Sequence, residues 1–282
     1  ITVTLPASAT EGDGFLAGQG SVVLSSAASG NLVIALASSD TSELTVPATV
    51  TVSDGQASAV FDLTVEDDAA HIHAAREGIG ADGYLMIDAG TVFKDDVEAA
   101  AKRLPALAEA NVYWYEEPFD GYALAEYGEL AERSSKVKLA GGEGAHNAFQ
   151  AEQLIDYGGV GFIQIDTGYV GGIGNAYRVA QYATSKGVKY VNHTFTSHSA
   201  LSASMQPYAG MKDSWLAEYP MEPKLLCVEL NDSKILPNAD GMISVPERPG
   251  IGIPFSIAAI KKYLMDVEIV VNKKVLYRTP TV

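Results

Sequence analysis

Apolar positions recur differently in the two parts of the chain. Up to about residue 67, short runs alternate apolar and polar side chains or gather β-branched residues, at Ile1 to Leu5, Gly20 to Leu24, Leu32 to Leu36, Thr45 to Val52 and Ala57 to Val65. Turn-forming clusters at Gly12-Asp13-Gly14, Ser29-Gly30-Asn31 and Asp54-Gly55 separate them. A period of two interrupted by turns predicts strands, and strands at this spacing predict a small all-β, sandwich-like segment. After Asp68 helix and strand patterns alternate. A helix is expected over 69–79, ending near Gly80, and a second from Lys94 to Ala110, with Val97, Ala101, Leu104 and Ala108 on one face and a kink at Pro105. Strands are expected at Tyr84 to Ile87, Val112 to Tyr115, Val137 to Gly142, Phe162 to Ile165, Val188 to Asn192 and Trp215 to Ala217. Two further helices run from an Asn147 cap to Tyr157 and from about Asn175 to Lys186, where Gly187 stops the second. Such alternation predicts an α/β domain over 68–282 behind the all-β segment of 1–67.

Composition supports the boundary, since residues 1–67 contain no Lys or Arg. The whole chain has 282 residues, 47% of them hydrophobic, and 35 acidic against 19 basic residues give a net charge of -16. That field repels nucleic acid and anionic membranes, so neither is expected as a partner, and an acidic substrate needs a local positive centre such as a metal ion. The single cysteine, Cys227, excludes an intramolecular disulfide and reads as a buried thiol. No run of 18 apolar residues occurs, and the first residues lack the basic stretch of a signal peptide.

One register stands out in the α/β part. Asp88, Glu116, Glu143, Asp166, His193 and Glu218 each end a predicted strand, at intervals of 28, 27, 23, 27 and 25 residues, about one βα unit apiece. In a parallel (β/α) barrel those ends open on one face, where the fold's active sites lie. Asp, Glu and Glu on successive strands offer hard oxygen ligands suited to Mg²⁺; the bland alternative is a set of rim carboxylates held by salt bridges. Asp166 and His193 fall on neighbouring strands, where a carboxylate can fix an imidazole tautomer and raise its basicity, or form a structural pair. Glu117 is expected to be a supporting neighbour. His146 and His198 fall in loops at the same face, where capping or solvated histidines are expected and substrate contact is the alternative, and His71 and His73 fall on the surface of the first helix. The glycines between Gly168 and Gly174 read as a tight strand-to-helix turn, because the acidic partner of a dinucleotide fingerprint is missing.

Leu85-Met86-Ile87-Asp88-Ala89-Gly90, Trp114-Tyr115-Glu116-Glu117-Pro118-Phe119, Ala140-Gly141-Gly142-Glu143, Ile163-Gln164-Ile165-Asp166 with Val170-Gly171-Gly172-Ile173, Val191-Asn192-His193 and Pro249-Gly250-Ile251-Gly252-Ile253 resemble, in order, the motifs of the mandelate racemase and muconate lactonizing enzyme branch of the enolase superfamily. The resemblance runs from about residue 69 to the C-terminus. It implies Asp88, Glu116 and Glu143 as Mg²⁺ ligands, Asp166 and His193 as the acid/base dyad, and Glu218 as a contact to the substrate carboxylate. The implied reaction removes a proton α to a carboxylate, with the cation stabilising the enediolate charge. The phrases Thr10-Glu11-Gly12-Asp13-Gly14, Ala37-Ser38-Ser39-Asp40, Val46-Pro47-Ala48-Thr49-Val50 and Val65-Glu66-Asp67-Asp68 resemble an incomplete Calx-β module. That resemblance implies Ca²⁺ at Glu11, Asp40, Asp67 and Asp68, against a reading of them as solvated turn carboxylates.

The chain departs from the first family in lacking the capping domain and barrel strands one and two, the second of which usually carries a catalytic lysine. Six strands, corresponding to the third through eighth, remain. With one histidine as base, dehydration of a hydroxy or sugar acid is favoured over racemisation, which needs groups on two faces of the substrate. The partners expected are a small-molecule carboxylate and further copies of the chain in a homo-oligomer, in a cytoplasmic setting. The alternative from another class is a non-catalytic, calcium-binding surface or adhesion protein that keeps the barrel as a scaffold.

Overall fold

The computed structural model describes residues 1–7, 14–39, 44–65, 68–212, 214–221 and 223–281. They divide into two compact units, one of 1–85 with 103–111, the other of 86–102 with 112–282. In the first, β1 (Thr2–Thr4), β2 (Gly14–Val23), β3 (Leu32–Ala35), β4 (Leu44–Thr45), β5 (Thr49–Val52) and β6 (Ser58–Val65) pair antiparallel, in a sheet of order β1-β2-β6-β4 and a separate β3-β5 pair. The alternation expected of half-buried strands is visible in β6, where Phe61, Leu63 and Val65 are buried. Phe61 and Leu63 join Val22 and Val50 in a cluster fed by both sheets.

Helix α1 (Asp68–Ile79) follows, with His71 and His73 exposed on its surface as expected. The predicted helix of 94–110 is two helices, α2 (Val97–Ala101) and α3 (Leu104–Glu109). Pro105 sits in the first turn of α3, where its missing N–H costs nothing, so it begins a helix instead of kinking one. Of the four residues assigned to calcium, Glu11, Asp40 and Asp67 lie outside the described residues. Asp68 accepts from Arg103 Nε at 2.7 Å.

In the second unit β7 (Met86–Asp88), β8 (Trp114–Glu116), β9 (Lys138–Gly141), β10 (Phe162–Asp166) and β11 (Lys189–His193) form one parallel sheet whose order follows the chain. Helices α4 (Leu124–Arg133), α5 (Ala148–Tyr157) and α6 (Ile173–Lys186) return the chain between successive strands. Asn147 caps α5 through its side chain, and Gly187 ends α6 in the left-handed region at φ 74°. Because each strand is added beside the previous one, the sheet winds one way, without the order reversal of doubly wound folds. Both faces are buried. One carries Trp114, Ala140, Phe162 and Val191 with Met86, the other Tyr115, Leu139, Ile163, Ile165 and Tyr190. By the period of two, Asp88, Glu116, Asp166 and His193 fall on the face of the first group, at its C-terminal rim.

The sixth predicted strand is absent, for Trp215 to Glu218 carries no strand assignment. Helix α7 (His198–Met205), a 3₁₀ turn (Gln206–Gly210), α8 (Leu225–Glu229) and α9 (Ile257–Tyr263) complete the helical part, and β12 (Glu268–Val271) pairs with β13 (Lys274–Arg278) in an exposed hairpin. Cys227, on α8, is half-buried where a buried thiol was expected. Among the described residues no helix is long and apolar enough to cross a membrane.

Gly142 turns the chain off β9 and delivers Glu143. Its φ is +113°, and a Cβ there would lie 2.6 Å from Ile163 Cδ1 and 3.1 Å from the Gln164 carbonyl oxygen. Gly142→Ala is therefore expected to cost about 1–3 kcal/mol in chemical denaturation. A loss below about 0.5 kcal/mol would mean that the turn relaxes freely.

Candidate active site

The parallel register brings the predicted residues together. Asp88 is the register partner of Glu116 across β7 and β8, and Asp166 that of His193 across β10 and β11. Asp166 Oδ2 lies 3.0 Å from His193 Nδ1, while Asp166 Oδ1 accepts from the backbone N–H groups of Gly168 (2.7 Å) and Tyr169 (3.1 Å). The glycine-rich segment is thus the predicted tight turn, and it fixes the carboxylate that holds the imidazole. His193 Nε2 lies 3.3 Å from Glu143 Oε2. A cavity of about 640 Å³ opens at this end of β10 and β11, lined by Asp166, Thr167, Tyr169, His193, Phe195 and Ala200 among others.

Glu218 reaches the site without the strand expected to carry it. The fully buried Asn192 side chain takes over the pairing, its Oδ1 accepting from Glu218 N–H at 3.0 Å and its Nδ2 donating to Glu218 O at 3.2 Å. Glu218 Oε2 then accepts from Thr194 N–H at 3.0 Å.

Burial governs the charges here. Desolvation raises Glu116, Glu143, Glu117 and Glu218, the last two to about 7. Repulsion from neighbouring carboxylates adds to each, among them Asp88 and Glu143 acting on Glu116 and Glu117. Burial pulls His193 down, but the Asp166 hydrogen bond and the charges of Glu218, Glu143 and Asp166 outweigh it and lift the imidazole to about 9. Burial likewise pushes Asp166 up, yet its bonds to His193, Tyr169 and Gly168 leave it below the usual aspartate value.

The three carboxylates predicted as metal ligands end adjacent segments but do not yet surround one point. Among the described residues no group of three Asp, Glu, His or Cys side chains is arranged to hold a metal ion. Each is engaged elsewhere: Asp88 Oδ1 accepts the Gly90 N–H (2.7 Å), Glu116 Oε2 accepts the Trp114 indole N–H (2.8 Å), and Glu143 Oε2 lies against the imidazole at 3.3 Å. The donor set still fits a hard divalent cation, being all oxygen, partly desolvated and mutually repulsive, provided the side chains exchange these partners.

One expectation needs correction and two residues were not foreseen. His198 is the first residue of α7, not a loop residue, and it is buried, its Nδ1 accepting from Ile235 N–H at 3.3 Å. Burial, with Lys234 nearby, lowers its pKa, which marks a structural histidine. His146 stays in the turn before α5, with its ring 5.9 Å from that of Tyr169. Glu117 sits beside the site as expected, 9% exposed and held at φ +35°, with burial and the charges of Glu143, Asp88 and Glu116 raising it to about 7. Gln164, 2% exposed, bonds Glu116 and leaves its Oε1 unpartnered. Asn192 is the second. The signals available were the polar residues inside otherwise apolar strands.

A sequence profile of the family described as "Enolase C-terminal domain-like" matches residues 47–259, beginning inside the strand-rich segment assigned to 1–67. D-galactarolactone cycloisomerase of Agrobacterium fabrum is 29% identical over 213 residues, 71% of this chain and 54% of that protein. The crystal structure described as a predicted mandelate racemase from Rhodobacter sphaeroides is 52% identical, with a TM-score of 0.73, covering 76% of this chain and 55% of that one. A variant of L-talarate/galactarate dehydratase liganded with Mg and L-glucarate is 27% identical, with a TM-score of 0.57 over 69% of this chain and 46% of that one. The chain spans about half the length of the curated relatives it matches.

The charge pattern predicts an unusual pH response. Glu117 and Glu218 near 7 and His193 near 9 all lie above their ordinary values of 4.5 and 6.5, so the native state binds more protons than the unfolded chain across that range. Stability then falls as pH rises. Asp166 and His198 act oppositely, Asp166 only in acid below this window and His198 at its lower edge, one group against three. The metal-free chain should melt lower at about pH 9 than at about pH 6, and Glu117→Gln should flatten the fall. A melting temperature that rises with pH would contradict the charge assignment.

Proposed function

The chain belongs to the enolase C-terminal domain-like family, and on that footing we propose that it abstracts the α-proton of a sugar or hydroxy acid and eliminates water. The observation that carries this reading is the His193–Asp166 pair facing a cavity, beside a row of carboxylates on successive parallel strands. Relatives named as a dehydratase and a cycloisomerase of sugar acids support the substrate class.

Asp88, Glu116 and Glu143 would hold Mg²⁺, which when bound supplies positive charge to the substrate carboxylate as the enediolate forms. Were Glu143 to share its charge with a cation, its pull on the imidazole would weaken, which would favour the neutral form. Asp166 accepts from Nδ1–H, so the lone pair of His193 sits on Nε2, which takes the α-proton. The same Nε2–H then returns the proton to the β-hydroxyl as the C–O bond breaks. One water leaves, and the enol tautomerises to a 2-keto acid. Glu218, close to half protonated near neutrality, donates a hydrogen bond to the substrate carboxylate. A single histidine suits elimination, since one imidazole can take the α-proton and return it to the departing hydroxyl.

A second reading, a non-catalytic binding protein on the same scaffold, is favoured by one observation, the engagement of each carboxylate by another group. Metal affinity separates the two. Calorimetry should detect Mg²⁺ binding that Glu116→Gln or Glu143→Gln weakens more than about tenfold; unchanged affinity would remove the ligand assignment. His193→Asn should stop exchange of the α-proton with solvent deuterium in a panel of aldonic and aldaric acids. Persistent exchange would show that another group is the base.

A further inference from the structure

We propose that Asn192 is a positioning residue that replaces a strand pairing and sets Glu218 against the reacting face. This rests on the role given to Glu218 above, but its structural part can be tested without turnover.

Asn192 lies on β11 directly before His193, and its side chain points to the face opposite the imidazole. A polar amide there, 0% exposed, needs partners on every side, and it has them. Its Nδ2 donates to Ser204 Oγ at 3.0 Å and to Glu218 O at 3.2 Å. Its Oδ1 accepts from Glu218 N–H at 3.0 Å and from the Tyr208 hydroxyl at 3.1 Å, while its backbone N–H donates to the same hydroxyl oxygen at 2.7 Å. The two bonds to residue 218 use one N–H and one C=O, as an antiparallel pair of residues would, yet no strand runs there.

The consequence is positional. With its backbone tied to the outer side of β11, Glu218 can send its side chain around the strand end to Thr194 N–H, two residues beyond Asn192. His193 lies between those two anchors. Asn192 therefore couples the packing of α7 and the 3₁₀ turn, through Ser204 and Tyr208, to a carboxylate beside the imidazole. Without the amide, Glu218 has neither a strand nor a side-chain partner to hold its backbone at β11.

The test is hydrogen exchange at the Thr194 amide, read by NMR in the full chain. Asn192→Leu, of similar volume, should speed exchange at Thr194 at least tenfold while the Ile165 amide stays within about threefold of native. Ser204→Ala, which removes a buried partner of Asn192 but no bond to Glu218, should leave Thr194 protected. Unchanged protection at Thr194 in Asn192→Leu, or equal loss in Ser204→Ala, would overturn the proposal. If Asn192→Leu does not fold, Asn192→Ser is read by the same two amides and the same criteria. In turnover, Asn192→Leu combined with Glu218→Gln should be no slower than Glu218→Gln alone, whereas additive losses would argue against action through Glu218. If the native chain exchanges no α-proton, the proposed reaction fails, and the amide measurement still decides the clamp.

Discussion

Like charges held close together under partial burial are the constraint on which the rest depends. A parallel sheet wound in one direction delivers the last residue of every strand to the same rim, and here most of those residues are carboxylates. Glu116, Glu117, Glu143 and Glu218 are each raised by burial and by neighbouring carboxylates, while the positive charge of His193 opposes the rise at Glu117, Glu143 and Glu218. An arrangement that costs stability when empty is suited to binding a cation. The hydrogen bonds from Trp114 and Gly90 hold the row in a tolerable state until one arrives.

Much of this was legible in the sequence because it follows from periodicity. The spacing from Asp88 to His193 is that of βα units, and five of the six strands it implied are present within a few residues. The Asp166–His193 pair follows from register alone. Glu218 was legible as a residue but not as a conformation, since Trp215 to Ala217 has the apolar character of a strand yet makes no strand pairing. The side chain of Asn192 does the pairing, and a side-chain substitute for a ladder leaves no periodic trace. Pro105 shows a similar limit: the apolar stripe over 94–110 is continuous, but a proline tolerates only the first turn of a helix, so the stripe splits. His198 was misplaced because an Ser197 cap just before it starts a helix that hydrophobic periodicity did not reveal.

The two parts of the site differ in readiness. Asp166 is fixed by two backbone N–H groups and holds the imidazole at hydrogen-bond distance, so the acid/base pair is preorganised. The carboxylates are near one another but turned to separate partners. For their oxygens to converge on a cation, each side chain would have to leave its present partner.

The most direct test of the account is a crystal structure determined in the presence of Mg²⁺. The account predicts one cation with carboxylate oxygens of Asp88, Glu116 and Glu143 at about 2.0–2.1 Å, the Trp114 indole released from Glu116, and the His193–Asp166 bond retained. Well-ordered density with no cation at the strand ends, the carboxylates still on their present partners, would contradict it.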